Sequence, residues 1–152
     1  ALAVRDIPIL RDLPGSEVGM TITTADNALA RHMEPGASAP SARLRALEQL
    51  ASQSIKTWVF ISPVLPHYGD SPAALAALMK RAAETGASRI GVDRLNLYQA
   101  AVAGLARVSC PEAAQALQAY KSSPQDYLAR LRSAVFEAAE AADIGIPVQV
   151  FF

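Results

Sequence analysis

The sequence predicts an α/β protein built on a mainly parallel sheet. Three observations predict it. Apolar stretches with a two-residue period alternate along the chain with stretches of helical period. Proline and glycine mark many of the changes of period. Apolar residues make up 51% of the 152 positions, enough for a substantial core in one domain or in part of a larger one. Read in order, the elements run β(α)βαβαβαααβ. That order fits a partial (β/α) barrel or an open doubly wound sheet.

Leu2 to Arg5 is short and apolar and reads as a strand, ended by the charged pair Arg5-Asp6. Ile7 to Leu13 reads as a turn of helix closed by Pro14-Gly15. The stretch from Glu17 to Pro35 organises the rest. Val18, Met20 and Ile22 form one face of a strand, and Gly19, Thr21 and Thr23 the other. Thr24 can cap the helix that follows, with Asp26 in its first turn and Leu29, Ala30 and Met33 at helical spacing. Pro35 and Gly36 stop it. After a small-residue loop, Ser41 to Gln53 is helical, with Leu44, Leu47 and Ala51 on one face.

Ile55 to Ser62 is β-branched and aromatic, hence a strand, and Pro63 and Pro66 are expected to end it. The loop PVLPHYGD leads to Ser71-Pro72, a cap followed by proline in the first helical position. Leu75, Leu78, Met79 and Ala82 form the buried stripe of that helix, and Gly86 ends it. In the strand Ser88 to Asp93, Ile90 and Val92 point one way and Arg89, Gly91 and Asp93 the other. A helical stretch runs to Val108, and Ser109 with Glu112 reads as a capping box. A long helix starts at Ser123-Pro124, carries Leu128, Leu131, Val135, Ala138 and Ala142 along one side, and ends at Gly145. Ile146 to Phe152 reads as the last strand.

Fourteen basic residues balance fourteen acidic ones, which argues against a nucleic-acid surface built from this chain alone. Cys110 is the single cysteine, so an internal disulfide and a multi-cysteine metal site within the chain are both excluded. Such usage suits the cytosol. No apolar run reaches membrane-spanning length. The opening ALAVRDIPIL, with no initiator Met and already strand-like, reads as a fragment whose N-terminal part is missing.

In parallel α/β folds ligands bind at the carboxyl ends of strands. Four such ends carry polar groups: Arg5-Asp6; Thr21, Thr23 and Thr24; Ser62 with the PVLPHYGD loop; and Asp93-Arg94 with Asn96. Their chemistry suits hydrogen bonding to a polar small molecule. Each also has a structural reading: the threonines as caps, the charged residues as an ion-pair layer of the sheet. Asp70 reads as a turn residue, His67 as a lone surface histidine and Cys110 as an inert thiol. Trp58 and Phe60 read as packing against helices. There is no phosphate-binding GxxxxGKS/T, no GxGxxG, no HExxH and no GxSxG.

As an ordered set, VRDIPIL, GMTITTADNALARHMEPGASAPSARLRALEQL, IKTWVFISPVLPHYGD and IGVDRLNLY resemble the radical-SAM proteins related to spore photoproduct lyase. The resemblance covers roughly residues 2–98 and is weak from Gln99 onward. It implies that residues 1–98 are the C-terminal part of a radical-SAM-like partial (β/α) barrel, and residues 99–152 a helical extension ending in a strand. It implies an enzyme, with DNA-lesion repair among its relatives, that cleaves S-adenosylmethionine reductively with a [4Fe–4S] cluster on a CxxxCxxC loop. By motif position, Thr21, Thr23 and Thr24 match the ribose-side strand, Pro63, Val64 and Leu65 the loop flanking adenine, and Arg5, Asp93 and Asn96 polar positions facing the cavity. The CxxxCxxC loop is absent, so neither cluster nor cofactor is expected to bind productively to this chain alone. Ser54 and His67 stand where glycine is common in relatives, and glycine there would permit positive φ. The alternative is a non-catalytic α/β small-molecule-binding or assembly module. Exposed sheet edges are expected to self-associate or to meet the missing barrel part.

Overall fold

The computed structural model describes residues 2–108 and 110–152. Four strands, β1 (Glu17–Thr21), β2 (Lys56–Val64), β3 (Ile90–Arg94) and β4 (Val148–Val150), form one all-parallel sheet in the order β1-β2-β3-β4. A short helix, α1 (Ile7–Arg11), precedes the sheet. The crossovers carry α2 (Asn27–Met33) and α3 (Pro40–Ser52), then α4 (Pro72–Glu84), then α5 (Gln99–Ala106), α6 (Pro111–Ser122) and α7 (Pro124–Ala142). Spatial order equals chain order. Parallel crossovers are right-handed, so successive ones in the same direction fall on one face of the sheet.

The core lies on that face. Leu44 and Leu47 of α3, Leu75 and Met79 of α4, and Leu131 and Val135 of α7 join Val59, Ile61, Ile90 and Val92 in one buried cluster. Burial along β2 alternates, with Thr57, Val59 and Ile61 buried and Trp58 and Phe60 only half-buried. The stripe read for α4 (Leu75, Leu78, Met79 and Ala82) is buried as expected, and Ser71 caps the helix by accepting from the Ala74 N–H at 3.2 Å. Among the described residues no helix is long and apolar enough to cross a membrane.

Several elements differ from the sequence reading. Leu2–Val4 is a 3-10 turn, not a strand, so Arg5-Asp6 does not end a strand. Asp26, not Thr24, caps α2, accepting from the Ala28 and Leu29 N–H groups. Its carboxylate reaches two orphan donors where a hydroxyl two residues earlier reaches neither. Thr24 Oγ1 instead accepts from the Asp26 N–H at 3.1 Å. Strand β2 does not stop before Pro63 but runs through it to Val64, across a cis Ser62–Pro63 peptide. Proline cannot donate to the ladder, and the register with β3 shifts between Ile61 and Val64. The expected Ser109 capping box falls on a residue outside those described; Cys110 caps α6, its Sγ accepting from the Ala113 N–H. As read from the sequence, the residues beyond 98 form helices followed by a strand, and β4 pairs with β3 while α7 packs along α4.

Ser54 and His67 both adopt the positive φ that glycine would take freely, 59° and 73°. A side chain there costs about 1 kcal/mol. Ser54→Gly is therefore expected to raise the unfolding free energy by up to about 1 kcal/mol. Met79→Ala, at a site with 0% exposure, is expected to lower it by about 2–5 kcal/mol. Urea unfolding measures both, and a Met79→Ala loss below about 1 kcal/mol would contradict a core centred on α4.

Candidate functional site

The face opposite the helices is built in rows. Register places Glu17 beside Lys56, Gly19 beside Trp58, and Thr21 beside Phe60, which in turn lies beside Gly91 and, across β3, Gln149. At the amino end Glu17 accepts from Lys56 at 2.5 Å and from Arg89 at 2.7 Å. These two cations hold the Glu17 carboxyl well below its ordinary 4.5, at about 2, with the Arg89 hydrogen bond the larger cause. Arg89 also lies over the Trp58 ring, 4.9 Å from its centroid.

The middle rows are aromatic. Trp58 and Phe60 have centroids 5.7 Å apart, and Phe60 meets Phe151 edge-on at 5.5 Å. Two strand glycines make room for them. A Cβ on Gly19 would sit 2.2 Å from the Trp58 ring, and one on Gly91 2.8 Å from Phe60 and 2.9 Å from Phe151. The rings therefore lie down over neighbouring strands. Trp58 and Phe60 do not pack against helices, because their parity along β2 is opposite to that of Val59 and Ile61.

The carboxyl ends are polar and partly locked. Arg43 donates to the Thr21 carbonyl at 2.8 Å and to Glu34 at 2.6 Å. Thr23 donates to the other Glu34 oxygen at 2.9 Å, with the Ser62 carbonyl 3.4 Å away. Glu34, Arg43 and Thr23 thus tie α2 and α3 to the ends of β1 and β2. A second lock lies beyond β3. Tyr120 and Tyr127 stack at 4.2 Å. Tyr120 donates to the Leu95 carbonyl at 2.9 Å and accepts from Arg94, and Tyr127 donates to Asp70 at 3.1 Å. Burial pushes the Tyr127 hydroxyl far above its ordinary range, and Asp70 adds to the shift. Asp70 also accepts from the His67 N–H, as its turn role requires. Cys110 is half-buried, 3.7 Å from both His67 Nε2 and the Tyr68 hydroxyl.

The residues singled out in the sequence therefore separate into groups. Thr21 and Asp93 occupy the uncovered face at the carboxyl end, Asp93 also accepting from the Arg94 N–H at 2.8 Å. Asn96 lies half-buried on the connection just beyond β3. Thr23 and Thr24 make the structural hydrogen bonds given above. Pro63 is half-buried, whereas Val64 and Leu65 belong to the core, because the shift at Pro63 reverses side-chain parity. Arg5 is exposed, pairs with Asp6 at 3.5 Å, and follows a 3-10 turn rather than a strand. Sequence reasoning missed the aromatic rows; the isolated strand glycines at 19 and 91 were the signal for them. Among the described residues no group of three His, Cys, Asp or Glu side chains could hold a metal ion.

No family model and no solved structure matches the chain. Curated relatives do. Over 97 residues it is 31% identical to "Uncharacterized protein Rv2578c" of Mycobacterium tuberculosis, covering 61% of this chain and 28% of that protein. The same figures hold for "Uncharacterized protein Mb2609c" of Mycobacterium bovis. Over 69 residues it is 34% identical to "Uncharacterized protein MJ0683" of Methanocaldococcus jannaschii, covering 45% of this chain and 27% of that protein. The chain spans about a quarter of the length of the curated relatives it matches.

The Glu17 cluster fixes a pH dependence. A carboxylate held below its unfolded value contributes stability that is present above about pH 4.5 and is lost as pH falls toward about 2. Glu17→Gln is expected to flatten the acid limb of a stability profile in that window, read from thermal melts at stepped pH. An acid limb identical to that of the native chain would show that the cluster does not stabilise the fold.

Proposed function

We propose that this chain forms one wall of a small-molecule cavity in a (β/α) barrel of radical-SAM type, and that S-adenosylmethionine is the molecule it faces in the assembled protein. One observation carries the reading. The sheet runs parallel in chain order with helices on one face only, leaving the other face open and rimmed by polar groups at the strand carboxyl ends. The ordered motifs that resemble the relatives of spore photoproduct lyase support it.

The donor set fits one part of the cofactor chemistry and not the other. A thiolate-held [4Fe–4S] cluster needs three cysteines, and this chain has one. Cluster ligands would have to come from outside these 152 residues, and action on DNA lesions would be a property of the assembled protein. The adenosyl part of S-adenosylmethionine fits better. The Asp93 carboxylate can accept from ribose hydroxyls, the Thr21 hydroxyl and Asn96 amide can bond polar edges, and the Phe60 and Phe151 rings offer an apolar floor. Bound there, the cofactor supplies an adenosyl group and a sulfonium. The chain's own part is to orient the nucleoside and exclude water beneath it.

A second reading, a non-catalytic binding or assembly module, is favoured by one observation. Thr23 and Thr24 serve local hydrogen bonds, and Val64 and Leu65 are buried in the core. Titrating S-adenosylmethionine into dilute protein while following Trp58 emission separates the two. Without the cluster no productive binding is expected, but a cavity wall is expected to hold the adenosyl part weakly and give a saturable change at millimolar cofactor, with affinity weakened about tenfold in Asp93→Ala. A folded chain with no saturable response at millimolar cofactor would leave the assembly module standing instead.

A further inference from the structure

We infer that the cleft between α6, α7 and the start of α4 is a binding site for a small organic cation, an ammonium group on an apolar body. The cleft lies on the helix side of the sheet, away from the open face, so the inference goes beyond the cofactor reading and does not depend on it.

Shape carries the first step. The cleft encloses about 620 Å³, within the range of about 300–1,000 Å³ that small-molecule sites occupy. Its walls are apolar, with Ala116 of α6 facing Leu131 and Ala134 of α7. The short side chains at 116 and 134 leave the space open. Its polar groups converge at the inner end. There Tyr127, only 5% exposed, donates its hydroxyl to the half-buried Asp70 carboxylate. An apolar cavity with a few converging polar groups, one of them strongly perturbed by burial, has the make-up of a ligand site.

Charge selects the ligand. Asp70 accepts two hydrogen bonds, from the Tyr127 hydroxyl and the His67 N–H. An ionised carboxylate offers about four acceptor positions, so some remain open. Among the described residues no cation stands within ion-pair distance of Asp70. The other charged and titratable groups nearby do not supply one. Arg94 is held by Tyr120 on the far side of the tyrosine stack, and the His67 ring meets Tyr68 and Cys110. Arg130 and Glu137 also line the cleft, but both are exposed and opposite in sign, so they offset each other at its mouth. At the Tyr127 hydroxyl the charge of Asp70 outweighs that of Arg130. A half-buried carboxylate without a counter-ion is costly. An ammonium donating to its open positions supplies the missing charge, and the apolar body covers the alanine walls. An anionic ligand would meet repulsion at the same place.

Titration of the intact, isotope-labelled chain tests this, with backbone amides followed by NMR. Phenethylamine is expected to give saturable shifts at Asp70, Ala116 and Ala134 at about millimolar concentration, while Trp58 emission, which follows the open face, stays unchanged. Hydrocinnamate is expected to give none, and the neutral phenethyl alcohol to bind at least about tenfold more weakly than the amine. Asp70→Asn keeps the shape and removes the charge. It is expected to bring the amine down to the affinity of the alcohol and to leave the alcohol unchanged. Ser133→Trp, placed at an exposed position on the cleft, is expected to fill it and abolish the shifts while far-ultraviolet circular dichroism stays native. Equal binding of amine, acid and alcohol, or an amine affinity unaltered in Asp70→Asn, would overturn the cation assignment. Amine shifts that survive Ser133→Trp, shifts that fall instead on Thr21 and Asp93 with a change in Trp58 emission, or no saturable shift at all would each overturn the site.

Discussion

One constraint governs this molecule: the handedness of parallel crossovers. Strands that follow one another across the sheet in chain order receive all their helices on one side. The core is therefore one-sided, with Val59, Ile61, Ile90 and Val92 beneath α3, α4 and α7. The opposite face is left to whatever else the molecule meets. Between a charged amino end and a polar carboxyl end that face holds Trp58, Phe60 and Phe151, an apolar centre unlike an ordinary solvent surface.

Fixing the carboxyl ends of the strands requires further interactions, because a four-stranded sheet gives its terminal loops few neighbours. Arg43 and Glu34 bind the last carbonyl of β1 and the Thr23 hydroxyl in one network. The ion pair is only partly exposed, at 16% and 33% of the two side chains. An arginine bridging a backbone carbonyl and a carboxylate in that setting fixes geometry more than it adds stability. The stacked tyrosines do the same beyond β3, joining Leu95, Arg94 and Asp70. Thr21 and Asp93 stand between these two locks with positions set by their neighbours.

Much of the fold was legible in the residues. Period-two and helical stretches marked β1, β2, β3 and the helices, and Ser71-Pro72 marked the start of α4. The exceptions have physical causes. Leu2 to Val4 is too short for its period to distinguish a strand from a turn. Pro63 stays within β2 because the ladder shifts around it. In IKTWVFIS both parities are apolar, so alternation could not say which one met the helices. Of the candidate site, strand-end polarity was visible. Which hydroxyls were already engaged was not, because the partners Glu34 and Ser62 are 11 and 39 residues from Thr23.

The one-sided core is tested most directly by solvent paramagnetic relaxation of side-chain resonances along β2, measured on dilute protein. A sheet covered on one face only predicts a two-residue alternation, with Trp58, Phe60 and Ser62 strongly relaxed and Thr57, Val59 and Ile61 protected. Equal protection at both parities would mean that the second face is covered within a single copy, and would contradict the architecture on which the proposed cavity wall rests.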